Sequence, residues 1–145
     1  MIIREIDYND FDKFLKLLSQ LNSQLDQDQD NFKQYLLSMK RDSNKFIMII
    51  EDTINNNIEM VGTCTIIIEK KIIHNYGLVA HIEDFVIDKN YRGKKYGSIL
   101  LKEMINIANN LNCYKIILNC KEEIKNFYIK NGFEFKQLQG SIYFN

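Results

Sequence analysis

The stretch from Leu78 to Leu111 constrains the fold of this chain more than any other. Leu78 to Ile87 is a predominantly apolar run that reads as a strand. A basic, glycine-bearing loop follows from Tyr91 to Gly97, and then an amphipathic helix from Ser98 to Leu111. Leu101, Met104, Ile105, Ala108 and Leu111 fall on one face of that helix. A strand that runs through a loop into such a helix needs a second strand to return to. Lys115 to Cys120 supplies it as a buried-type strand, and the crossover makes the pair parallel.

The rest of the chain extends this unit. Met1 to Ile6 reads as a short strand. Phe11, Phe14, Leu15 and Leu18 mark an amphipathic helix that starts near Asp10. A second helix is expected from Asp30 to Met39. Phe46 to Glu51 and Glu59 to Ile68 are strands around the turn Asn55-Asn56-Asn57. A last helix runs from Glu122 to Asn131, with Gly132 as a left-handed cap. Phe133 to Phe144 is expected to close the chain as one or two strands. Short turns between the middle strands make them antiparallel. The expected class is mixed α/β (α+β), with a mostly antiparallel central sheet flanked by helices. At 145 residues, with no linker or repeat, residues 1–145 read as one domain.

Bulk properties remove several alternatives. Formal net charge is zero, so no global field favours nucleic acid or an anionic membrane. Cys64, Cys113 and Cys120 are odd in number and widely spaced, which fits neither a disulfide framework nor a metal site. No apolar run has the length of a bilayer span. The N-terminal residues do not read as a signal peptide, and a cytoplasmic location is the expectation. The chain contains no proline, so glycine and asparagine must mark its turns.

Two segments carry chemistry. In Arg92-Gly93-Lys94-Lys95-Tyr96-Gly97 the glycines allow close approach of a ligand to the backbone. The following helix start presents unpaired N–H groups, and three cations add charge. A pyrophosphate suits this loop, whose spacing is neither a Walker loop nor a dinucleotide fingerprint. A solvated basic turn is the alternative. In His81-Ile82-Glu83-Asp84-Phe85-Val86, two adjacent carboxylates interrupt an apolar strand. Strand geometry points them to opposite faces, so at least one faces the interior or a cleft. An ion pair or a solvated strand end is the other reading.

Taken together, the strand, the Arg-Gly-x-x-x-Gly loop, the helix, the next strand, Asn126-Phe127-Tyr128 and Gly132-Phe133 resemble the GNAT acetyltransferase superfamily. Ile68 to His74, His81 to Asp84, Cys113 to Cys120 and Phe127-Tyr128 are similar to the glucosamine-6-phosphate N-acetyltransferases within it. The resemblance is close from Val61 to Phe133. It implies transfer of an acetyl group from acetyl-CoA to the sugar's 2-amine, in the service of UDP-N-acetylglucosamine synthesis. It implies no metal and a homodimer in which Leu138 to Phe144 packs on the partner.

Site residues follow from the same resemblance. Phe85, Val86 and Ile87 are expected along the pantetheine arm. Arg92, Gly93, Lys94, Lys95, Tyr96, Gly97 and Ser98 are expected around the pyrophosphate, and Lys130 also on the cofactor. Glu83 and Asp84 are expected to bind the sugar and orient its amine, and a carboxylate there can take a proton. A backbone N–H near Phe85 or Val86 is expected to meet the oxyanion. Tyr128 is expected to donate to the CoA sulfur. Lys71, Ile73 and His74 match sugar-phosphate positions, and Asn119 a sugar contact. Four positions depart from the family: Asn119 where an acid is common, Ile124 in place of Asn, Tyr143 near a usual Arg, and Asn22 for a Thr. The resemblance leaves two other functions open: a GNAT enzyme for another small amine or a protein N-terminus, and a catalytically weak acyl-CoA-binding module.

Overall fold

The computed structural model describes residues 1–144. Strand β1 (Ile2–Glu5) is followed by a 3₁₀ turn and by helices α1 (Phe11–Leu18) and α2 (Gln29–Asp42). The long hairpin β2 (Lys45–Ile54) and β3 (Asn57–Lys70) comes next, then the one-turn α3 (Ile73–Tyr76) and β4 (Leu78–Ile87). Helix α4 (Tyr96–Asn110), β5 (Cys113–Leu118) and α5 (Lys125–Lys130) complete the order. The five strands lie in sequence order, antiparallel except for the parallel β4–β5 pair.

Local chemistry accounts for the boundaries. Asp7 and Asp10 form a reciprocal capping box ahead of α1, and Asp28 caps α2 by accepting from the Asn31 amide. Asn55 and Asn56 have φ of 51° and 66°, the left-handed pair that a two-residue hairpin turn requires. Gly132 has φ 94°, as a helix-ending glycine should.

Two apolar layers sandwich the sheet. On one face α4 packs Leu100, Leu101, Met104 and Ala108 onto Ile66, Ala80 and Ile82. On the other, α1 and α2 bring Phe11, Phe14 and Phe32 onto Ile47, Ile49 and Val86. Ile82 and Val86, four residues apart on β4, therefore lie on opposite faces. The register explains this: Thr63 pairs with Val86 but Thr65 pairs with Glu83, so β4 carries an extra residue. Asp84, with φ 47°, sits at that bulge.

The structure differs from the sequence expectations in three places. Among the described residues no strand follows β5. Residues 134–144 make no backbone hydrogen bond to the body, and Leu138, Ile142, Tyr143 and Phe144 are exposed. A strand needs a ladder partner, and this segment does not pair with the free edge of β5 or with any other strand among the described residues. The strand expected at Lys115–Cys120 begins and ends two residues earlier. It is half exposed, because as the edge strand it is covered by α4 on one face only. The helix expected from Glu122 to Asn131 is divided at Ile124 into a 3₁₀ turn and α5.

Candidate active site

The bulge that reverses β4 also opens the sheet. β4 and β5 pair only as far as Ile82 and Leu118. Beyond that point the β5-facing side of Glu83 to Ile87 has no strand partner. A pocket of about 880 Å³ occupies the gap, bounded by β4, the Arg92–Ser98 turn, α5 and Leu21. It is a size suited to an organic ligand.

One end of the pocket is an anion cradle. Gly93 has φ 78° and open space around its Cα, so conformation, not crowding, calls for glycine there. Lys95 is also left-handed, at φ 69°, and its carbonyl accepts the first intrahelical bond, from the Ile99 amide at 3.1 Å. The amides at the start of α4 have no intrahelical acceptor, and Tyr96, Gly97 and Ser98 line the pocket. No side chain caps this helix start. A Cβ on Gly97 would come within 3.2 Å of the Phe127 ring, so glycine here lets α4 approach α5. Arg92 donates from Nε to the Ile87 carbonyl at 3.1 Å, which ties the loop to the end of β4.

The other end is acidic. Glu83, Asp84 and Asn119 all face the pocket. Simple alternation had put the two carboxylates on opposite faces. The bulge and the left-handed Asp84 break that alternation, and both residues line the one cavity.

Tyr128 forms the floor between these ends. It is 4% exposed and packs edge-on against Phe127 (centroids 5.0 Å apart) and Phe133 (5.8 Å). Its hydroxyl has no hydrogen-bond partner among the described residues, yet it is not sealed from the pocket. Burial pushes its pKa up to about 12, so it remains a proton-bearing donor at neutral pH. Cys64, on β3 beside the bulge, is buried. Burial and then the Asp84 and Glu83 charges push its thiol well above the usual range, so it is not a thiolate nucleophile.

The expected residues divide accordingly. Phe85, Val86, Ile87, Arg92, Gly93, Lys95, Tyr96, Gly97, Ser98 and Tyr128 meet around the pocket. Lys94 instead lies over the Tyr91 ring at 5.4 Å, and Lys130 is exposed outside the pocket. Lys71, Ile73 and His74 lie at the turn between β3 and β4. None of the three lines the pocket. Lys71 pairs with Glu69 at 2.5 Å, and Glu69 also meets His81 at 2.8 Å. His74 stacks on Tyr114, with centroids 4.2 Å apart. Sequence reading missed Leu21, which reaches the pocket from the segment after α1. Nothing local in that polar stretch signals it.

Residues 8–133 match the acetyltransferase (GNAT) family, and the chain belongs to that family. Its members use acetyl-CoA. Within it, relatives of this chain include glucosamine 6-phosphate N-acetyltransferases. One from Dictyostelium discoideum is 36% identical over 97% of this chain and 88% of its own length. A probable one from Drosophila melanogaster is 35% identical over 92% of this chain, which spans 60% of that longer protein. The crystal structure of the Arabidopsis thaliana enzyme superposes with a TM-score of 0.92 at 32% identity, covering 99% of this chain and 98% of that one. No helix among the described residues is long and apolar enough to cross a membrane.

Proposed function

We propose that this chain transfers the acetyl group of acetyl-CoA to the 2-amine of glucosamine 6-phosphate, by direct attack in a ternary complex. The observation that carries the reading is one pocket joining a helix-start anion cradle, an unpaired strand edge, two carboxylates and a protonated tyrosine. Glucosamine 6-phosphate acetylation is also what the relatives' names state.

The residues fit a CoA diphosphate. Free amides at the start of α4 and the left-handed turn accept an anion, and Arg92 and Lys95 supply charge. Bound acetyl-CoA supplies the thioester carbonyl. The open edge of β4 holds the pantetheine arm, and an N–H near Phe85 or Val86 stabilises the carbonyl oxygen as charge develops there. Glu83 and Asp84 orient the amine and accept its proton, directly or through water. Asn119 holds a sugar hydroxyl, and Tyr128 keeps a proton at Oη for the departing sulfur.

A homodimer completes the proposal. The exposed apolar tail with Ile142, Tyr143 and Phe144, and the uncovered face of β5, suit a second copy. Lys71, Ile73 and His74 would meet the sugar phosphate within that assembly, in the cytoplasm. The test is release of free thiol from acetyl-CoA on adding glucosamine 6-phosphate, with the product checked by mass. Release that does not depend on the amino sugar would overturn the reading. Light scattering that gives a monomer would overturn the dimer.

A further inference from the structure

Gln20 follows α1, one residue before Leu21. Its side-chain amide uses both ends on one target across the molecule. Oε1 accepts from the Lys89 amide at 3.0 Å, and Nε2 donates to Asp88 Oδ2 at 3.1 Å. The other Asp88 oxygen accepts from the Asn90 amide at 2.8 Å, and the Asp88 amide donates to the Val61 carbonyl at 3.0 Å. Asp88 therefore joins three things: the end of β4, the 3₁₀ turn leading into Arg92–Gly93, and the segment after α1.

We propose that Gln20 is a positioning residue that locks the segment after α1 onto the anion-cradling turn, so that Leu21 and the cradle form one preorganised clamp for acetyl-CoA. This rests on the acetyl-CoA reading above. The argument is one of geometry and reach. Gln20 and Asp88 are 68 positions apart in sequence, and their bond joins two segments that the sheet's ladders do not connect. Leu21 enters the pocket from the turn that closes α1, where its amide donates to the Leu18 carbonyl at 2.8 Å. That bond ties Leu21 to α1 only; the Gln20 side chain ties the same turn to the other wall of the cleft. A hydrogen bond to a carboxylate is stronger than one between neutral groups. Rigidity built in before the ligand arrives appears as affinity.

The test is a double-mutant cycle with acetyl-CoA and glucosamine 6-phosphate. Gln20→Glu keeps the side chain's size but sets its second oxygen against Asp88. It should raise the KM for acetyl-CoA by roughly tenfold, the scale of one lost hydrogen bond to a charged group, with kcat little changed. Asp88→Asn added to Gln20→Glu exchanges donor and acceptor across the contact, and should return KM most of the way to wild type. Gln20→Met, which neither accepts nor donates there, should match Gln20→Glu without rescue by Asp88→Asn. Thermal melts of all variants establish that each is folded. Folded single variants with wild-type KM, or a double variant no better than Gln20→Glu, overturn the proposal. A wild-type protein that does not turn over acetyl-CoA overturns the acetyltransferase reading itself, and the two failures are separable.

Discussion

The Tyr96 hydroxyl donates to Asp52 Oδ2 at 2.7 Å, so the first residue of α4 is moored to the far end of the β2–β3 hairpin. Tyr96 also lines the pocket beside the helix-start amides. The bond holds the Asp52 carboxyl below the usual carboxylate range and raises the phenol of Tyr96. Tyr96→Phe removes the mooring and keeps the ring. The expected result is a KM for acetyl-CoA raised by roughly two- to tenfold, as for one lost hydrogen bond. Because the folded pKa of Asp52 is depressed, its contribution is complete above the unfolded value and is lost as pH falls through the folded one. The difference between wild type and Tyr96→Phe should therefore shrink in acid, measured as KM against pH.

Tyr128→Phe deletes a proton that no group among the described residues accepts. Its packing against Phe127 and Phe133 is kept, so the melting temperature should hold. If the hydroxyl protonates the departing sulfur, kcat should fall by about 10²-fold, the lower end for a general acid, with both KM values nearly unchanged. With its pKa pushed up to about 12, this tyrosine should impose no loss of rate at neutral or mildly alkaline pH. A kcat–pH profile of wild type and variant checks both statements.

Asp84→Asn tests the acidic end of the pocket. Asparagine tolerates the left-handed φ of 47° and preserves the bulge, while the charge is lost. Turnover should drop, or the KM for the amino sugar should rise, by roughly tenfold, since the amine loses a charged partner. The KM for acetyl-CoA should not move. Glu83→Gln, measured the same way, identifies which carboxylate serves the amine. If neither substitution changes turnover, the site is misassigned.

Asp10 is a test of stability, away from the pocket. Its carboxylate accepts from both terminal nitrogens of Arg4, at 2.7 and 2.8 Å, and from the Asp7 amide at 2.7 Å. Burial alone would raise its pKa, but the Arg4 and Asp7 hydrogen bonds outweigh this and hold it below the usual range. Its stabilisation is present above the unfolded pKa and lost as pH falls through the depressed folded value. Asp10→Ala should cost roughly 1–3 kcal/mol at neutral pH by denaturant titration, and progressively less in acid.

Much of the pocket was legible in the chain because it depends on short-range rules. A glycine loop before an amphipathic helix has free amides wherever it occurs. That is why Gly93 and Lys95 to Ser98 line the pocket, while Lys94 turns to the Tyr91 ring. The hairpin at Asn55-Asn56 and the cap at Gly132 are likewise decided within a few residues by which side chains tolerate positive φ. The periodicity of α4 places Leu101, Met104 and Ala108 on the sheet, but it omits the buried Leu100 and includes Leu111, which is exposed.

The pairing of Glu83 with Asp84 in one cavity was decided elsewhere. It comes from a one-residue mismatch between β3 and β4, and register is a property of two strands, not of one. Leu21 entered the pocket because Gln20 found Asp88 across the fold, a long-range bond that no periodicity announces. Lys71 turns to Glu69, which also meets His81, and His74 stacks on Tyr114, contacts between separate strands that no local pattern announces. The terminal residues have strand-like composition but no ladder, since a strand exists only where another backbone meets its hydrogen bonds. Local rules determined the elements and the anion cradle, and tertiary contacts decided which side chains share the cavity.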